Sequence, residues 1–163
     1  MMFDEKYQKI KDYGLRLISI RPRSKKEFSG KLSQFVQKKH LPQNLIDELL
    51  KEFIELNLLN DFEFSKWWID QRRSFRPKGE KAIRLELLHK GVDKDVIESA
   101  VDDTSSDGPS DYDLALKVVE KRLTRYHNLS PIQLKIKIRD FLLRRGFGWE
   151  IISKVIDSLV NKS

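Results

Sequence analysis

The sequence predicts an all-α protein of three tandem three-helix modules, about nine helices in all. Three observations carry this. Apolar residues recur at helical spacing, as at Ile46, Leu49, Leu50, Phe53 and Ile54, and β-branched alternation is nearly absent. The five prolines and seven glycines cluster between the periodic segments. Finally, one frame is written three times: QFVQKKHLPQNLI around His40, LELLHKGVDKDVI around Gly91 and DFLLRRGFGWEII around Gly146.

The frame has a direct physical meaning. A helix ends at a residue in the left-handed conformation, an apolar residue packs back, and a new helix begins. The matched apolar positions are Leu32, Ile83 and Ile138; Val36, Leu87 and Leu142; Leu41, Val92 and Phe147; Leu45, Val96 and Ile151; Ile46, Ile97 and Ile152. His40, Gly91 and Gly146 are therefore the expected repeat joints, all with positive φ. Histidine is among the non-glycine residues that tolerate it. Pro42, Asp93 and Gly148 stand at the edge of the following helix.

The first module is expected over residues 1–59. Its first helix ends at Pro22, and Ser24-Lys25-Lys26-Glu27 reads as a capping box that opens the second. The second module is expected over 60–103, led by a helix from about Asp61 to Arg73. Residues 104–110, within the acidic, turn-rich DDTSSDGPSD, form the expected linker, which would let the third module move. The third module, 111–163, is expected to open with a helix from about Asp111 to Arg125. Ser130-Pro131 then supplies a cap and a first-turn proline for the next helix.

Composition narrows the function. Of 163 residues, 35% are charged and the formal net charge is +7, which favours polyanionic or acidic partners. With no cysteine there are no disulfides, thiolate metal sites or cysteine chemistry, as suits a reducing compartment. The N-terminal stretch does not read as a signal peptide, and no apolar run approaches the roughly 20 residues of a membrane span. A cytoplasmic protein with no membrane contact is expected. His40, His89 and His127 lie far apart without ligand spacing, so no metal is expected. No GxSxG, P-loop or GxGxxG occurs, and no catalytic set forms, so the chain reads as a non-enzyme without cofactors. Trp67 and Trp68 fall on adjacent helix faces, so at most one is expected fully inward. Trp149 fits either packing or stacking.

Basic residues carry the remaining signal. Arg72, Arg73, Arg76, Lys78, Lys81 and Arg84 occupy one helix–loop–helix turn with Glu80 as the lone acid from Gln71 to Arg84. Lys117, Lys121, Arg122 and Arg125 recur mostly three or four apart, the spacing of one helix. Lys135, Lys137, Arg139, Arg144 and Arg145 follow on the next. A solvated face explains any one set. Two sets in successive modules suggest a continuous basic strip, and arginine suits phosphate and carboxylate alike.

Three blocks then resemble a known family. RLISIRPRSKKEFSGKL, NDFEFSKWWIDQRRSFRPKGEKAIRLELLHKGV and KIRDFLLRRGFGWEIISKVI are similar to the characteristic blocks of the RecX family of bacterial recombination regulators. The similarity runs in order from about Gly14 to Leu159. Its most specific pieces are Arg21-Pro22-Arg23-Ser24, the Arg73 to Gly91 block, and Phe141 to Phe147. Departures such as Asn60-Asp61 and Phe64-Ser65 look structural. The resemblance implies an elongated, curved array of modules that binds the RecA recombinase in its filament groove. It also implies inhibition of RecA ATPase, strand exchange and filament growth, with a place in DNA repair and the SOS response. A monomer is expected, with single- or double-stranded DNA as a further partner. A sequence-nonspecific basic DNA-binding protein, or an α-helical interaction module without a RecA role, are the alternatives the residues leave open.

Overall fold

The structure, a computed structural model, describes residues 2–160, and among them every regular element is helical. In chain order these are α1 (Met2–Ile20), α2 (Lys25–Lys39), α3 (Asn44–Glu55), α4 (Asp61–Ser74), α5 (Glu80–His89), α6 (Lys94–Thr104), α7 (Asp111–Glu120), α8 (Pro131–Arg144) and α9 (Trp149–Val160). The described residues form two compact units. One runs up to Trp67 and adds Leu87–Ala100; the other holds Trp68–Glu86 and the chain from Val101 onward. The boundary passes within α4 and α5.

In the first unit α1, α2 and α3 pack on one another. Their shared core is Ile10 and Leu17, then Phe28, Leu32 and Val36, then Leu45, Ile46, Leu49 and Phe53. In the second unit Leu114, Ala115, Val118 and Val119 of α7 meet Ile138, Phe141 and Leu142 of α8 and Ile152 and Val155 of α9. The matched positions read from the sequence supply much of both cores, because one amphipathic pattern places them on the inward face each time.

All three joints have the expected backbone. His40, Gly91 and Gly146 sit at φ 55°, 81° and 83°. Each N–H bonds the carbonyl three residues back: His40 to Gln37, Gly91 to Leu88, Gly146 to Leu143. The next N–H bonds one turn deeper: Leu41 to Val36, Val92 to Leu87, Phe147 to Leu142. This pair of bonds satisfies carbonyls that the helix end would otherwise leave bare.

Each unit also contains a docked loop of the same plan. In the first, Ser24 Oγ donates to the Lys90 carbonyl at 2.7 Å, and the Lys25 N–H donates to Asp61 Oδ1 at 2.9 Å. In the second, the Gly79 N–H donates to the Arg145 carbonyl at 2.7 Å, and the Glu80 N–H donates to Asp111 Oδ2 at 3.1 Å. Both docks use the free N–H groups at a helix start, where a carboxylate also meets the positive end of the helix dipole. A Cβ on Gly91 would lie 2.6 Å from Lys26 Cβ, and one on Gly146 would lie 2.8 Å from the Ala82 nitrogen. The two docked joints therefore need glycine for space as well as for φ. His40 is exposed, so only the φ demand remains there.

Two local expectations change. The helix expected to reach Arg125 ends at Glu120, and a 3-10 turn, Leu123–Tyr126, follows. Lys121 caps the helix one turn after Lys117, its N–H on the Lys117 carbonyl, whereas Arg122 and Arg125 lie beyond the helix. The Arg122 N–H reaches the Val119 carbonyl and the Arg125 N–H the Arg122 carbonyl, the tighter three-residue spacing of that turn. The capping box at Ser24 is half made. Ser24 Oγ accepts from the Glu27 N–H at 3.1 Å, but the Glu27 carboxylate turns to Arg21 and Lys90. Burial alone would raise the Glu27 carboxyl; its bonds to Arg21 and Lys90 hold it below the usual range. Ser24 is fully buried and serves both helix cap and dock. Ser24→Ala should cost about 1–2 kcal/mol, read as a lower midpoint in denaturant unfolding at unchanged slope.

Candidate functional site

All fifteen basic residues singled out by sequence lie in the second unit, and the fold sorts them by partner. Glu86 gathers several groups. It accepts from Trp68 Nε1 at 2.8 Å and from Arg72 Nε at 2.9 Å, and it pairs with Lys78. Arg72 also lies over the Trp68 ring, 4.3 Å from Cζ to centroid. Burial alone would raise the Glu86 carboxyl, but its bonds to Lys78, Trp68 and Arg72 bring it below the usual range. Arg73 bonds Asp111 at 2.6 Å and also the Pro109 carbonyl, tying down the end of the acidic linker segment. Arg84 pairs with Glu80 at 2.6 Å and Arg139 with Asp140 at 3.1 Å. The pairs at Glu86 and Asp111 join separate segments, those of Arg84 and Arg139 are local and partly exposed, and in all of them the charge is already answered.

Others differ. Arg76, Lys81, Lys117, Lys121, Arg125, Lys135 and Arg144 are exposed, and Arg122 and Arg145 are half-buried. Arg76, Arg122 and Arg145 converge from three separate segments. Arg122 and Arg145 both lie over Phe141, with Cζ-to-centroid distances of 4.2 and 5.3 Å. Arg145 Nη1 donates to the Arg76 carbonyl at 3.2 Å and to the Pro77 carbonyl at 3.5 Å. Phe141, read from sequence only as part of the family motif and not as a binding surface, is the shared platform. Its spacing from Arg145 marks one helix turn, but its spacing from Arg122 carries no such signal.

A second feature joins two of the sequence-derived cations to acids and an exposed aromatic. An open groove of about 430 Å³ is lined by Lys81, Arg84, Asp111, Trp149 and Glu150, among others. Trp149 is 62% exposed. The groove mixes both signs of charge, and Arg84 and Asp111 already hold ion pairs. Trp67 and Trp68 are both half-buried. Among the described residues no cluster of His, Asp and Glu could hold a metal, and no helix is long and apolar enough to cross a membrane.

Comparison with known proteins gives a consistent result. A family model described as the second three-helix domain of RecX matches residues 60–101, and one described as its third three-helix domain matches 110–156. The chain is 31% identical over 148 residues to a regulatory protein RecX from Mycobacterium sp. (strain JLS), covering 88% of this chain and 78% of that protein. It is 26% identical over 159 residues to a regulatory protein RecX from Bacillus cytotoxicus, covering 98% of this chain but 57% of that one. The chain thus spans little more than half the length of that relative. A crystal structure of RecX from Lactobacillus salivarius superposes with a TM-score of 0.80 at 26% identity, covering 96% of this chain and 97% of the other.

Proposed function

The chain belongs to the RecX family of regulatory proteins, and on that premise we propose that it binds the RecA recombinase and restrains it. The observation that carries this reading is the pair of family matches across residues 60–101 and 110–156. They span the middle helix triplet and the last one, where every candidate basic residue lies. The proposed action is lodging in the groove of a RecA filament on DNA, limiting its ATP hydrolysis, strand exchange and growth. The proposed modules are residues 1–59, 60–103 and 111–163, with 104–110 as linker. The protein acts by binding, as a cytoplasmic monomer, with no catalytic step and no cofactor, in recombination repair and the SOS response.

In this reading the exposed cations Lys81, Lys117, Lys121, Arg125, Lys135 and Arg144 face the partner. Arg72, Arg73, Lys78 and Arg84 position that surface through their carboxylate pairs. Sedimentation of RecA filaments preassembled on single-stranded DNA tests the proposal. The chain should pellet with them at a saturable ratio, and a chain that stays in the supernatant at all ratios contradicts it.

A further inference from the structure

The two docked joints follow one rule, and the three helix starts show where it stops. Ser24, Gly79 and Ser130 are equivalent: each carbonyl accepts from the N–H four residues on, those of Phe28, Ile83 and Leu134. At the first two starts a hydrogen of the capping residue goes to the carbonyl just before the next triplet's glycine joint. Ser24 Oγ reaches Lys90, and the Gly79 N–H reaches Arg145. The first helical N–H, of Lys25 or Glu80, goes to the leading aspartate of the next triplet, Asp61 of α4 or Asp111 of α7. A backbone N–H at a helix start and a carboxylate make a charge-assisted pair. Each dock therefore has a donor face on one triplet and an acceptor face on the following one.

At the third start the donor face is absent. Its first helical residue is Pro131, which has no N–H to give. The Ser130 N–H is spent on Gln133 Oε1 at 3.1 Å, and Ser130 Oγ accepts from the Gln133 N–H at 3.2 Å, so the capping box closes on itself. α8 is bare where α2 and α5 meet the next joint. Lys26 and Ala82 lie against Gly91 and Gly146, whereas Ile132 is 72% exposed. The acceptor face is absent from the first triplet. Ile10 stands 51 positions before Asp61, as His40 stands 51 before Gly91. A fully buried apolar side chain thus occupies the carboxylate's place, and α1 runs on past it to Met2. His40 keeps the left-handed φ but carries the Cβ for which the joints at Gly91 and Gly146 have no room.

We propose that this dock is a directional joint between successive triplets, with Pro131 on one outer face and Ile10 with His40 on the other as its stops. Through these two faces the protein refuses a second copy of itself. A donor face on the last triplet and an acceptor face on the first would form a heterologous contact, which grows into open chains unless the rotation closes a ring. Removing the donor and the acceptor separately blocks that growth twice. The inference rests on the fold alone and needs no RecA, so it and the functional reading can fail separately.

Hydrogen exchange at the Gly79 amide, which donates to the Arg145 carbonyl, reads the second dock in the full chain. Glu80→Pro and Glu80→Ala both remove the ion pair to Arg84, but only proline removes the N–H that meets Asp111. Proline suits the first helical position, as α8 shows, so the circular dichroism of Glu80→Pro should match that of Glu80→Ala. The Gly79 amide should exchange roughly ten-fold or more faster in Glu80→Pro and within about three-fold of the unmodified rate in Glu80→Ala. Equal exchange in the two variants overturns the directional joint. Sedimentation velocity reads the stops without depending on that variant. The unmodified chain and Pro131→Ala should both remain monomeric over a roughly hundred-fold range of concentration, because a donor restored at α8 still meets no carboxylate and no glycine joint on another copy. Association of either chain with slower exchange at the His40 or Ser130 amide overturns the stops. Association that leaves both amides unchanged uses another surface and leaves these faces free, as proposed.

Discussion

Gly146→Ala should lower the melting temperature by roughly 6–12 °C, the equivalent of about 3 kcal/mol for a chain of this size. Two costs combine. Alanine at φ 83° suffers the left-handed steric penalty of about 1–2 kcal/mol. Its Cβ would also overlap Ala82, lying 2.8 Å from the backbone nitrogen and 3.0 Å from Cα. Backbone cannot turn aside as a lysine tip can, so the α5 start must move away. That movement breaks the bonds from Gly79 to the Arg145 carbonyl and from Glu80 to Asp111. Gly148→Ala, two residues on, is the control. Nothing lies within 4 Å of a Cβ there, and the melting temperature should change little. Equal losses at 146 and 148 would mean that the docked joint contributes nothing special.

Glu86→Ala should destabilise by about 2 kcal/mol, measured by denaturant unfolding. The carboxylate is 21% exposed and gathers three donors, so removing it strips Trp68 Nε1, Arg72 and Lys78 of a common acceptor. Partial exposure discounts the ion-pair share; most of the loss comes from the charge-assisted hydrogen bonds. A pH dependence follows with a definite sign. The folded-state Glu86 carboxyl lies below its ordinary value of 4.5. Its contribution is therefore complete above that value and is lost as pH falls through the lowered folded value. Glu86→Gln should flatten the acid limb of the stability profile and leave the limb above neutrality unchanged. An acid limb as steep as in the unmodified chain would remove Glu86 from the account.

The residues legible in the sequence were those whose role is local and repeated. His40, Gly91 and Gly146 announced left-handed helix ends because the surrounding apolar frame is written three times. Core positions such as Leu32, Ile83 and Ile138 followed from the same frame, and all three are buried. What the frame does not encode is proximity between distant segments. Gly79 meets Gly146 across 67 positions, and no local pattern marks one as the space for the other. The same limit applies to the basic residues. Spacing alone joined Lys117 to Arg125 on one helix, whereas the chain tightens after Glu120 and carries Arg122 over Phe141. Nor does sequence spacing distinguish Arg72, answered by Glu86, from Arg76, which meets no carboxylate among the described residues. That distinction depends on which acids the fold brings near, and among the described residues it separates paired cations from those with no ion pair.

The proposed restraint of RecA is read most plainly in its DNA-stimulated ATP hydrolysis. Titrating the chain into RecA on single-stranded DNA, at amounts well below one chain per RecA protomer, should progressively suppress hydrolysis. Hydrolysis unchanged up to an equimolar amount, with filament length also unchanged, would contradict the account.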